Sequence, residues 1–164
     1  MSFDAKSIMF LTKQMDRLDI PEEKREQFVS NLFDWSRQVR QVESDDNPLA
    51  AAGTTSAKGV YQFTDPSVET GLGRMANMGF DEDFISTVSR NPSEWNDEHA
   101  DAMFLANMMA QTDSDKLIKQ IGAGDEQARQ DAYYKFHHTA PDEATIKRVM
   151  KMMPTLEDEV VTEQ

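Results

Sequence analysis

The sequence predicts a mostly helical domain carrying one irregular wing, and three features point that way. Apolar residues recur at three- and four-residue spacing along most of the chain. Proline and acidic residues stand where these periodic runs begin, and Gly or Asn-Pro stands where several of them end. Only the stretch from Ser44 to about Phe63, rich in Gly, Thr, Ser and Ala, breaks the pattern, and it reads as a loop with a small β element.

The first helix covers Phe3 to Leu18, and "DIPEEKREQ" ends it and starts the next. Pro21 suits a first helical turn, and Glu22 and Glu23 complement the positive end of the helix dipole. The second helix then runs from about Pro21 to Glu43. Its Phe28, Leu32, Trp35, Val39 and Val42 follow one another at intervals of four, three, four and three, which is one core-facing stripe. Pro66 reopens a helix through "SVETGLGRMANM", closed by Gly79, and "DEDFISTVSR" gives another, ended by Asn91-Pro92. "NDEHADAMFLANMMAQ" leaves little room for an exposed face and is expected at the centre. Helices at about Ser114 to Ile121 and Asp125 to His137 follow, separated by "GAG", and "PDEATIKRVMKMM" is the last. No repeat or long linker divides the chain, so residues 1–154 are expected as one domain, with 155–164 an acidic, flexible tail.

Composition narrows the function. Apolar residues are 38% of the chain, a low share, but their clustering in periodic runs argues for a packed core. No stretch of about 18 apolar residues suggests a membrane span. The start "MSFDAKSIMF" lacks the basic and long apolar regions of a signal peptide, so synthesis in the cytoplasm without export is expected. Zero cysteines exclude disulfides and thiolate metal sites. A formal charge of −13 argues against nucleic acid as a partner, because that binding draws on Lys and Arg neutralising phosphates.

The chemistry concentrates where the second helix ends. At about 100° per residue, Glu43 falls roughly 40° from Val39 and near the line of Leu32, inside the apolar stripe. Burial disfavours a charged carboxylate, and the negative end of the helix dipole pushes the same way. Glu43 is therefore expected to keep its proton near neutral pH, as a donor to a leaving oxygen must. In the following segment Gly59 permits close backbone approach to a flat, hydroxyl-rich ligand, Tyr61 offers a ring face to a sugar, and Gln62 offers an amide donor and acceptor.

These residues also resemble a known family. Glu43-Ser44, the loop "DDNPLAAAGTT" and the block Ser56-Ala57-Lys58-Gly59-Val60-Tyr61-Gln62 are similar, in order and spacing, to the soluble lytic transglycosylases of the lysozyme superfamily. There a helix ends in Glu-Ser, and a Gly-Ala-x-Gly-x-x-Gln segment lines the cleft; here Ser56 replaces the first glycine, and Tyr61 stands where methionine is common. A third family element, Ala-Tyr-Asn-Ala-Gly-Pro, corresponds to "FHHTAP" when aligned on Pro141, with His137 at the tyrosine and His138 at the asparagine. The resemblance implies a lysozyme-like helical fold with a small irregular β wing after the catalytic helix. It also implies cleavage of the bond between N-acetylmuramic acid and N-acetylglucosamine in peptidoglycan, forming a 1,6-anhydro product. Glu43 would be the acid and base, and Ser44, Gly59, Tyr61, Gln62, His137 and His138 would contact the glycan.

A two-carboxylate hydrolase of the goose-type lysozyme kind is the runner-up, with Asp45, Asp46 or Asp65 orienting water. A non-catalytic helical virion or interaction protein on a lysozyme-like frame is the alternative from another class, with "MFLANMMAQ" and "VMKMM" as adaptable contact surfaces. No cofactor is expected. Neither is a metal, since adjacent helical residues such as His137 and His138 point about 100° apart and His99 has no partner motif. A wall-directed motif without an export signal suggests a bacteriophage protein, carried among other virion proteins and acting in the host periplasm or cell wall.

Overall fold

The computed structural model describes residues 2–155 apart from Thr112. It is mostly helical, with 67% of the chain in helix. Eight α-helices are present among the described residues: α1 (Ala5–Arg17), α2 (Arg25–Ser44), α3 (Asp65–Asn77), α4 (Glu82–Thr87), α5 (Asp97–Met109), α6 (Ser114–Gly122), α7 (Glu126–Ala132) and α8 (Glu143–Met152). Side chains start them by accepting from otherwise unpaired N–H groups: Asp4 from Ser7 at 3.0 Å, Asn96 from His99 at 2.8 Å and Asp142 from Thr145 at 2.8 Å. Pro21 does not open α2 itself; a 3-10 turn, Glu22–Lys24, comes between.

Helix α5 is the centre of the packing, and every residue from Ala100 to Met109 is buried. Such a helix must be covered on all sides. α1 and α3 lie against it, while α2 packs on α6 and α8. The α3–α5 contact is close because Gly71 has no side chain: a Cβ there would stand 2.2 Å from the Met103 sulfur. The Phe104 ring lies between Trp35 at 5.2 Å and Tyr61 at 4.4 Å, which joins α2, α5 and the irregular segment.

That segment departs from expectation. No strand forms among the described residues, and the anticipated β wing consists of two isolated antiparallel bridges, Ala51 with Lys58 and Lys58 with Phe63. Left-handed backbone at Asp45, Asp46, Gly53, Gly59 and Gln62 bends the chain too often for a ladder to extend. Of the tail expected from residue 155 onward, Thr155 is buried rather than solvated, and 156–164 lie outside the described residues. No helix among the described residues is long and apolar enough to cross a membrane.

Candidate functional site

Helix α2 delivers Glu43 into the interior as its stripe predicts. Val39 and Val42 are buried, and the Glu43 side chain is only 9% exposed. The helix stops at Ser44, one residue past Glu43, because Asp45 and Asp46 both take left-handed backbone, with φ of +54° and +61°. Their N–H groups close on the carbonyls of Gln41 and Arg40 at 3.1 and 3.2 Å, satisfying the helix end.

Three more side chains come from the other end of the sequence. α7 does not end in a regular turn but widens into a π turn, Tyr133–His137, in which the His138 N–H reaches back five residues to the Tyr133 carbonyl at 2.8 Å. The widened turn brings Tyr133, His137 and His138 together onto one face, whereas in a regular helix residues five apart diverge. The Tyr133 hydroxyl donates to Glu43 Oε1. His138 Nδ1 is 3.2 Å from both that oxygen and the Tyr133 hydroxyl. His137 Nε2 donates to the Tyr61 carbonyl at 2.8 Å and stands 3.9 Å from Glu43 Oε1. A carbonyl can only accept, so the proton on His137 sits at Nε2.

These partners reverse the expected ionisation of Glu43. Burial does push its carboxyl upward, but the His138 hydrogen bond, the charge that His137 can carry and the Tyr133 hydroxyl together outweigh it, leaving Glu43 below the ordinary carboxylate value. His138 is raised, mainly by its bond to Glu43. His137 is lowered chiefly by burial and is therefore neutral at pH 7, so under neutral conditions Glu43 relies on His138 and Tyr133. Burial and Glu43 together raise the Tyr133 phenol far out of the physiological range, so it remains a donor. The site thus favours the charged form of Glu43 and a proton on His138, rather than a lone protonated acid.

The remaining expected site residues divide. Ser44 is next to Glu43, but its hydroxyl donates to the Val60 carbonyl at 2.8 Å and clips the helix end to the 57–63 segment, so a glycan contact is not its evident role. Gly59 is needed for close approach to the chain itself: with φ of +82°, a Cβ there would stand 2.7 Å from the Pro92 carbonyl. Tyr61 is not a sugar platform. Its ring is 1% exposed and stacked on Phe104, and its hydroxyl donates to Asp101 at 2.6 Å. Gln62 donates its amide nitrogen to the carbonyls of Gly59 at 2.8 Å and Ala50 at 3.1 Å, leaving Oε1 to offer outward. Gln62 and His137 both line an open groove of about 250 Å3 between α3, α5 and the π turn.

Two features escaped sequence reasoning. Tyr133 was the available signal for the hydroxyl at Glu43, since it precedes His137 by one helical turn. The other is a buried ionic cluster behind the site. Asp101, 1% exposed, accepts from Arg37 Nη1 and Nη2 at 2.9 Å each and from Tyr61, with Arg40 Nη1 at 3.4 Å. Arg40 also binds Asp46 and Asp97, each at 2.7 Å. Arg37 and Arg40 lie three apart on α2 and face an acid that the apolar run of α5 conceals.

The acids considered as second carboxylates are engaged or remote. Asp45 pairs with Arg148 at 2.7 Å, Asp46 pairs with Arg40, and Asp65 is exposed in the first turn of α3. Among the described residues no group of three or more His, Asp or Glu converges as on a metal ion. No family model, curated protein or solved structure matches this chain. What the geometry defines is a helical protein in which an enclosed glutamate meets a phenol and two imidazoles, one of which, His137, also lines an open polar groove.

Proposed function

We propose that the chain is a peptidoglycan lytic transglycosylase, with a lysozyme-like frame and Glu43 as its single acid and base. The observation that supports this reading is the isolation of Glu43: one carboxylate, enclosed by Tyr133, His138 and the groove-lining His137, with its neighbouring acids engaged by arginines or exposed. That arrangement suits chemistry needing one carboxylate twice rather than two carboxylates at once. The Glu43–His138 pair holds one transferable proton. It passes through Glu43 to the glycosidic oxygen as the bond from C1 of N-acetylmuramic acid breaks. Glu43, now a carboxylate, then takes the proton of the C6 hydroxyl while O6 bonds to C1. The products are an anhydro end and a free N-acetylglucosamine hydroxyl, and no water enters. Tyr133 steadies the carboxylate between the two steps, and His137 is held neutral against the Tyr61 carbonyl.

Zymography on purified peptidoglycan, with Glu43→Gln beside the wild type, tests the assignment. Wild type clears the gel and the folded variant does not; equal clearing by both, or by neither, overturns it. Product mass separates the runner-up hydrolase, since an anhydro end is lighter by one water. The acidic surface suits delivery within a virion better than clinging to an anionic wall, and mass spectrometry of purified particles checks that placement.

A further inference from the structure

The groove lined by His137 has a charge pattern at odds with the protein around it. The sequence carries 30 acidic residues against 17 Lys and Arg, yet among the described residues no Asp or Glu lines this groove. Its polar walls include Gln62, Ser67, Thr70, Gln111 and His137, and among the described residues its one Lys or Arg is Arg74 of α3. Six of the seven other arginines (Arg17, Arg25, Arg37, Arg40, Arg90 and Arg148) each pair with a carboxylate, and the seventh, Arg129, donates to Gln38 away from this groove. Arg74 has no carboxylate within ion-pair distance among the described residues. Its Nη1 donates to the side-chain oxygen of Asn107 and lies 3.5 Å from the Asn107 carbonyl, contacts that hold the guanidinium in place without neutralising it. Its other N–H groups remain able to form a two-pronged bond to a planar anion.

We infer that Arg74 is the anion-recognition residue of this groove, and that the ligand is a carboxylate-bearing glycan. The inference rests on the proposed peptidoglycan reading and adds to it which part of the substrate is read. An enzyme of net charge −13 repels an anionic wall polymer, and a cation set in an acid-free concavity provides a local attraction at short range, where salt screens least. The hydroxyl and amide groups along the walls match sugar hydroxyls, and His137, which lines the groove, stands 3.9 Å from Glu43 Oε1. The carboxylate has two possible sources with the same chemistry: the lactyl group of a muramoyl residue without peptide, or an acid of the attached stem peptide.

Binding measured by calorimetry in the Glu43→Gln background, where no turnover occurs, tests this with three probes. They are a neutral N-acetylglucosamine tetramer, peptide-free glycan strands with lactyl carboxylates, and peptide-bearing strands. Adding Arg74→Gln is expected to weaken binding of carboxylate-bearing glycan about tenfold or more and to leave the neutral tetramer unchanged. Arg74→Lys should keep part of the preference, and raising salt should weaken only the anionic probes. Whichever anionic probe responds identifies the carboxylate source. If the three probes bind the parent equally, or if Arg74→Gln changes neutral and anionic probes alike with an unaltered melting temperature, the Arg74 inference fails and the glycan reading stands. If the parent binds none of them, both fail together.

Discussion

Asp101→Asn removes a charge and almost no volume, so it isolates what the buried cluster contributes to stability. Asp101 is 1% exposed and accepts four hydrogen-bond donors: two from Arg37, one from Arg40 and one from the Tyr61 hydroxyl. Breaking a buried ion pair by neutralising one member costs about 3–5 kcal/mol, because the other charge is left desolvated. Two observations place this case at the low end. Arg40 retains Asp46 and Asp97, and the Arg37 side chain is 28% exposed and rests on the Phe33 ring, so water relieves part of its loss. The expected penalty is therefore about 3 kcal/mol, or a fall in melting temperature of about 6–12 °C for a chain of this size. Urea unfolding followed by circular dichroism gives the free energy directly, and an unchanged m-value shows that the comparison is fair. A loss below about 1 kcal/mol would mean that the cluster is hydrated rather than sealed. The triple replacement Arg37→Met, Tyr61→Phe and Asp101→Leu should recover much of the loss, since it leaves neither the Arg37 charge nor the Tyr61 hydroxyl without its partner.

Two further outcomes concern the site. Tyr133→Phe deletes a donor to an enclosed carboxylate; the Glu43 carboxyl should titrate at higher pH, and stability above that titration should fall by about 1.5–3 kcal/mol, read by carbon NMR of the carboxyl and by thermal melting. An unmoved Glu43 titration would remove Tyr133 from the site. His138→Gln should cost most stability between the ordinary values of Glu and His, about 4.3 and 6.5, and in the margins by which the pair extends that window. Glu43, lowered in the fold, contributes above its unfolded value and loses that contribution as pH falls through its folded one. His138, raised in the fold, contributes below its unfolded value and loses it as pH rises through its folded one. Melting curves of wild type and variant that stay a constant distance apart from pH 3 to pH 9 (about the span of both titrations) would refute the pairing.

How much could be read from the sequence follows from the range of the interactions involved. The Phe28, Leu32, Trp35, Val39, Val42 stripe and the caps at Asp4, Asn96 and Asp142 are local, and the helices they specify formed within a few residues of expectation. Glu43 was legible for the same reason, since its place within the stripe is set by helical geometry alone. Its ionisation was not, because the groups that decide it lie 90 and 95 residues away in sequence and reach it only through the fold. The π turn is a one-residue irregularity that periodicity cannot anticipate, and without it His138 would point away from Glu43. Tyr61 misled in the opposite direction: an aromatic beside a glycine suggests a ligand platform until Asp101, hidden in the apolar run of α5, is seen to claim its hydroxyl.

The ionised state of Glu43 sharpens the proposed chemistry. A lone buried acid and a carboxylate–imidazolium pair can both release one proton, but they differ in the pH at which that proton is lost. In the lone acid the limit is the carboxyl's own value; in the pair it is the value of the imidazolium, which Glu43 raises. Delivery to a leaving oxygen then needs the proton to cross 3.2 Å from His138 Nδ1 to Glu43 Oε1 as a glycan displaces water and the ionic form loses its solvation. The C6 hydroxyl proton returns to Glu43 and so to the pair, so the cycle closes without a proton from solvent. Activity should therefore persist past neutrality and decline only as His138 deprotonates, whereas a decline centred near the ordinary glutamate value would assign the proton to Glu43 alone.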